Sequence, residues 1–312
     1  MRAQSVLISL LACALLAGCA PQPSGGSAGN SANGTTNGGT AGTGGQQGSS
    51  QTKLLPETMK VPTHIVIVVE ENHSYSQIAG NKNAPYINQL MKEGANFTSY
   101  HALEHPSQPN YLDLFSGSNQ GVTNDSCPNT FSAPNLGSQL LSKGGASLSF
   151  AGYSEGLPTT GFTGCSAGAY ARKHSPWVDF SNIPASANQP FSNFPKDYNQ
   201  LPTVAFVIPD LNHDMHNGTI QAADTWLQQN LSSYVSWAKT HNSMLIVTWD
   251  EANGSTSNRV PTIMVGPMIK PGNYSEKLNH FNLLHTIESM YGLPALGKSK
   301  LVSPITNIWT QS

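Results

Sequence analysis

Three apolar runs of this chain end in acids. Ile65–Val69 leads into Glu70, Glu71 and Asn72, the run TVAFVIPD ends at Asp210, and MLIVTWDE ends at Asp250 and Glu251. Carboxylates gathered at one place repel unless they are protonated or share a cation. Taken singly, each acid reads better as a helix cap or a solvated loop residue. Three strands ending alike turn the reading to a metal site, with Glu71, Asn72, Asp250 and Glu251 as ligands. Oxygen donors suit a hard or borderline divalent ion, Mg²⁺, Ca²⁺ or Mn²⁺, with Zn²⁺ as a further option.

A nucleophile candidate stands in HALEHPSQPNYLDLFSG. Ser107 precedes Pro109 and an apolar helical pattern. A serine at a helix start can receive a phosphate among free backbone N–H groups, although a plain N-cap role fits this segment equally well. PDLNHDMHNG packs His213, Asp214 and His216 into one loop, and LNHFNLLHTIE sets His280 at a helix start. Imidazoles there add proton-transfer capacity near neutral pH. His64, His174, His241 and His285 carry no such company and read as structural.

Positioning these groups requires strands that deliver their ends to one edge. HIVIVV, with β-branched residues covered on both faces, is a parallel-sheet pattern. NFTSYH, SLSFAGY, TVAFVI, MLIVTW and TIMVGP read as further strands. APYINQLMKEG is a helix bounded by Pro85 and Gly94, and FNLLHTIESMYG is one closed by Gly292. From Thr219 to His241, residues Ala222, Ala223, Trp226, Leu227, Leu231, Tyr234 and Trp237 recur at helical spacing as a core stripe. The alternation predicts a three-layer α/β/α sandwich with a mainly parallel sheet, whose C-terminal strand ends form one ligand-binding edge. The stretch from Thr123 to Leu201 has little periodicity and reads as a long irregular insertion, functional or pinned.

The chain begins with Met1-Arg2, an apolar segment and Leu16-Ala17-Gly18-Cys19. This is a secretory signal over residues 1–18 whose end resembles a bacterial lipobox, making Cys19 the acylated residue of a lipoprotein of the cell envelope. The other reading is an ordinary cleaved signal with a chance cysteine. The segment to residue 52 is Gly, Ser, Asn and Thr without charge, a flexible tether with a reach of roughly 30 Å. The catalytic domain then spans 53–312. Its two cysteines, Cys127 and Cys165, most simply pair in an exported protein, with free thiols or a metal pair as alternatives. With a formal net charge of −2 and 10% charged residues, the chain has no basic cluster that would grip nucleic acid.

The ordered motifs VVEENHSYSQI, HPSQPNYL, PDLNHDMHNG, VTWDE and LNHFNLLHTIE resemble the bacterial phosphoesterase family of acid phosphatases and phospholipases C, within the alkaline-phosphatase-like superfamily. The resemblance runs from about His64 to Gly292. It implies metal-assisted phosphoryl transfer, with Ser107 as nucleophile facing a metal held by Glu71, Asn72, Asp250 and Glu251. His213, His216 and His280 are implied as acid–base groups, and His105, Asn110 and Asp214 as substrate contacts. Asp214 stands where two-metal relatives have histidine, which favours one ion. Ser107-Gln108-Pro109-Asn110-Tyr111 lacks the arginine of the sulfatase motif, which sets sulfate esters aside. The implied reaction is hydrolysis of small phosphomonoesters, phosphorylated lipid headgroups included, through a phosphoserine and with an optimum below neutral pH. The alternative is a phospholipase C acting on headgroup diesters.

Overall fold

The structure is a computed structural model that describes residues 54–143, 147–254 and 256–310. The expected signal, the acylated Cys19 and the tether lie outside the described residues.

Eight strands form the central sheet: β1 (Ile65–Glu70), β2 (Ala95–Phe97), β3 (Phe150–Ser154), β4 (Asn188–Pro190), β5 (Val204–Ile208), β6 (Met244–Trp249), β7 (Thr262–Val265) and β8 (Gly272–Tyr274). Their order is β8-β2-β7-β6-β1-β5-β3-β4. All pairings are parallel except those of β7, which runs against both β6 and β2. Every residue of β1, β5 and β6 is buried, as strands covered on both faces must be. The run NFTSYH, expected as one strand, divides into β2 and a short strand Tyr100–His101 that pairs Leu278–Asn279 in a separate small sheet.

The helices are α1 (Tyr75–Ile78), α2 (Pro85–Glu93), α3 (Ser107–Ser116), α4 (Leu136–Lys143), α5 (Ile220–Ala238) and α6 (His280–Met290). α2 packs with α5 and α3 with α6, so helices cover the sheet in the α/β/α order. Sequence signals mark their ends. Thr219 Oγ1 accepts the Ala222 N–H at 3.1 Å to cap α5, and the Asn279 side chain caps α6. Gly94, which closes α2, passes so near β7 that a Cβ would meet the Met264 carbonyl at 2.2 Å.

The stretch 123–201 is not one insertion. α4 and β3 stand inside it and belong to the sandwich, β3 pairing β5 from Phe150↔Val204 to Ser154↔Ile208. Residues 123–135 and 155–201 remain as two largely irregular segments, the second interrupted by the edge strand β4, and form a collar beside the sheet edge. A Cys127–Cys165 disulfide joins them, and Phe131 pairs its backbone with Asp179 and Ser181 across the gap. The buried Trp177 lies flat against Gly152 of β3, where a Cβ would approach the ring to 2.2 Å.

Candidate active site

Strand register builds the site. Glu70 of β1 lies opposite Trp249 of β6, so Glu71 and Asp250 leave the sheet side by side. The Asp250 N–H donates to the Glu70 carbonyl at 3.0 Å, and the Glu71 N–H donates to the Asp214 carbonyl at 2.7 Å. Asn72, with φ at 55°, turns the chain and donates its backbone N–H to Asp250 Oδ1 at 3.1 Å. Ser107, buried at the first residue of α3, donates to Glu71 Oε2 at 3.0 Å and lies 3.3 Å from Glu251 Oε1. The other Glu251 oxygen takes the His105 Nδ1 contact.

On the opposite side of Glu71, the Tyr111 hydroxyl donates to Oε1 at 2.6 Å. His174 Nε2 stands 3.0 Å from the same oxygen, and its Nδ1 is 3.3 Å from Asp214 Oδ2. These are ion-pair contacts without hydrogen-bond alignment. Tyr111 and His174 stack with centroids 5.1 Å apart. Burial works against charge on both Glu71 and His174, yet their mutual attraction wins: the Glu71 carboxyl is held below its ordinary range and the imidazole above. Asp250 behaves oppositely. Burial, then the charges of Glu71 and Glu251, push its carboxyl far up.

These residues fit a bound cation. Asp250 Oδ2 is buried without a hydrogen-bond partner, an arrangement that costs free energy unless something else supplies positive charge. Glu71, Asp250 and Glu251 are an all-oxygen donor set that repels itself, with Ser107 Oγ between two of them. Glu70 has no such outlet. Fully buried and unpartnered, its carboxyl is driven well up by burial and by neighbouring acids.

Several sequence expectations meet a different geometry. His280 is buried with both nitrogens engaged, Nδ1 at 3.1 Å from the Tyr100 hydroxyl and Nε2 at 2.9 Å from the Asp250 carbonyl. Burial lowers its pKa to about 4, and through these two bonds it supports the turn at Asp250. Asn110 is likewise engaged with backbone. Its Oδ1 accepts the N–H groups of Leu103 and Glu104 at 3.0 and 2.9 Å, folding the loop that carries His105. His213 turns to Glu155 and Asp210, forming a half-exposed trio whose ligand atoms lie within 4.8 Å of one another. His216 is exposed, its ring 6.0 Å from that of His174. Conversely His174, read as structural, sits in the centre. Tyr111 could have been found, because four residues along a helix from Ser107 lie on its face. Glu155 likewise ends a strand and could have been read with the other acids.

The sequence profile of the Phosphoesterase family matches residues 81–294. The chain belongs to the Phosphoesterase family. A Mycobacterium tuberculosis relative, a phosphatidylinositol-3-phosphatase, is 51% identical over 262 residues, covering 83% of this chain and 87% of the relative. A phosphate-repressible acid phosphatase of Penicillium chrysogenum is 29% identical over 246 residues, and the match covers 73% of this chain but only 58% of that protein. Among solved structures, a Vibrio parahaemolyticus protein of the alkaline phosphatase superfamily superposes with a TM-score of 0.51 at 14% identity, covering 81% of this chain and 73% of that one. At that identity the likeness shows the fold, and the fold agrees with the α/β/α sandwich expected from sequence.

Proposed function

We propose that this domain is a metal-dependent phosphatase that hydrolyses phosphomonoesters through a phosphoserine at Ser107. The observation that carries the reading is Ser107 Oγ at the start of α3, between Glu71 Oε2 and Glu251 Oε1, beside the unpartnered Asp250 Oδ2. The activities named for the relatives support the substrate class, and the 51% identical relative supports phosphorylated lipid headgroups within it.

Glu71, Asn72, Asp250, Glu251 and Ser107 would hold a divalent cation, which when bound neutralises phosphate oxygens and lowers the pKa of the serine hydroxyl. The chain's own groups do the rest. Glu251 touches both Ser107 and His105, so it takes the proton that Ser107 loses on attack. Ser107 Oγ bonds to phosphorus as the ester P–O bond breaks in line. His105, 42% exposed at the rim, gives a proton to the departing alkoxide. It takes the role expected of His216 or His280. Water then attacks the phosphoserine, releasing phosphate and restoring the hydroxyl. Tyr111, His174 and Asp214 fix Glu71 in place. A histidine acting as acid favours an optimum below neutral pH.

The test is a panel of p-nitrophenyl phosphate, its bis-ester and the phosphorylcholine ester, with and without chelator. The monoester should be hydrolysed fastest and only by metal-replete protein. Faster diester turnover would replace this reading with a phospholipase C. Full activity in protein stripped of metal, with its absence verified by elemental analysis, would remove the cation from it. We further place the domain at the bacterial cell envelope on an acylated Cys19, because Leu16–Cys19 matches a lipobox. Cys19→Ser should move the protein from the membrane fraction to the soluble one, and an unchanged distribution would refute the anchor. Among the described residues no helix is long and apolar enough to cross a membrane.

A further inference from the structure

Lys173 belongs to the collar and immediately precedes His174, the residue that reaches Glu71. Its side chain is 17% exposed and its ammonium lies 2.8 Å from Asp125 Oδ2. The other Asp125 oxygen accepts the Gln108 N–H at 3.0 Å, one residue beyond the proposed nucleophile. Lys173 is thereby suspended between the start of α3 and the carboxylates of the site. An ammonium has three N–H donors, and among the described residues Asp125 is the hydrogen-bond partner that Lys173 has. Two donors are left for a ligand.

The charge balance says which ligand. Glu71, Asp214, Asp250 and Glu251 are all buried at this edge, a set hostile to an incoming dianion. A permanent cation at the rim offsets that field. Burial disfavours charge on Lys173, but the hydrogen bond to Asp125 and the fields of Glu71 and Asp250 outweigh it and hold the ammonium above its ordinary range. The lysine therefore keeps its positive charge at the rim.

We infer that Lys173, presented by the collar and aimed by Asp125, binds the non-bridging oxygens of the substrate phosphate and favours monoester dianions over diester monoanions. This rests on the proposed phosphatase reading for its substrate, but its ligand can be measured without turnover. A diester lacks the third non-bridging oxygen and half the charge, so it has less to offer this group.

The experiment uses the metal-loaded full chain and the variants Lys173→Gln, Lys173→Arg and Asp125→Asn. Binding of inorganic phosphate is measured by calorimetry, and kcat and KM are measured on p-nitrophenyl phosphate and its bis-ester. Lys173→Gln should weaken phosphate binding and raise KM for the monoester by about 10-fold to 100-fold, with a much smaller change on the diester. Lys173→Arg should restore most of the loss, and Asp125→Asn should fall between. Phosphate affinity that is unchanged in Lys173→Gln, or equal losses on both esters together with a lowered Tm, would make the residue a strut and overturn the inference. If wild-type protein binds phosphate with this dependence yet hydrolyses neither ester, the phosphatase reading fails and the role of Lys173 stands.

Discussion

The sheet edge and the collar put residues in place by different means. At the edge, Glu71, Asp250 and Glu251 are positioned by strands whose every residue is buried and whose register is fixed by neighbours. The collar has no element longer than a turn near the site, and Lys173 and His174 stand in a 3₁₀ turn, Arg172–His174. Pairwise links hold it instead. The Arg172 guanidinium donates to Asp179 Oδ1 at 3.0 Å and to the carbonyls of Thr163 and Asn129 at 2.6 and 2.9 Å, tying both irregular segments to one buried hub. Gln108 of α3 closes the circuit by donating to Asp179 Oδ2 at 3.1 Å. The sandwich contributes carboxylates and the proposed nucleophile Ser107, and the collar contributes cations. In the proposed function one region supplies chemistry and the other recognition.

That division is broken or sharpened first at Ser107. Ser107→Ala leaves every collar contact intact and removes the nucleophile, so turnover should fall by at least about 10³-fold while phosphate affinity and the circular dichroism spectrum persist. Near-normal turnover would move the chemistry away from this edge.

The next largest effect belongs to the collar. Arg172→Met leaves the buried Asp179 uncompensated, which should cost roughly 3–5 kcal/mol. If the two regions are separable, the loss should show as early proteolytic cleavage within 155–201, with activity falling because Lys173 and His174 lose their places. The sandwich would unfold later. A single transition, coincident by proteolysis and by circular dichroism, would mean that collar and sandwich form one cooperative unit.

The same contrast decides what a reader of the sequence can see. β1, β5, β6, α5 and α6 are legible because burial on two faces or one stripe forces a period onto the residues. The acids at the strand ends follow from that, since a parallel sheet sends its C-terminal ends to one edge. β3 shows in SLSFAGY, but α4 is hidden among Gly, Ser and Pro, and the stretch around both has too little period to be divided. His174 is not legible at all. A histidine in a turn has no periodic signature, and its importance comes from Glu71, which lies 103 positions earlier in the chain. His280 and Asn110 err the other way. Their types suit catalysis, but backbone carbonyls and N–H groups take up their side chains, and such partners cannot be assigned before the chain is folded.

The smallest expected effect is on the pH dependence of stability, and it divides that dependence between the sandwich and His174 of the collar. Asp113 on α3 is buried with both oxygens unpartnered, and burial followed by the charge of Glu104 raises its pKa to about 7. Glu288 on α6 accepts the Leu296 N–H and the Ser299 hydroxyl, yet burial also raises it to about 7. Both acids thus bind protons more tightly folded than unfolded. The folded state gains as pH falls from about 8 through 7, and the gain is complete only near the unfolded carboxyl range. His174, held above its ordinary range by Glu71 and Asp214, acts in the same sense, because its stabilisation is present below the unfolded imidazole value and is lost as pH rises through the folded one. His280 acts against them. With a pKa near 4 it must stay neutral, so stability falls as pH drops from the ordinary imidazole range toward that value. Between about pH 6 and 8 the two acids and His174 act together, so Tm should decline as pH rises, on the order of 5 °C by pH 8. Thermal melts across that range check it. Asp113→Asn with Glu288→Gln should flatten the alkaline limb, leaving the part that His174 contributes. An alkaline limb that stays as steep in the double variant would place the sensitivity in the collar.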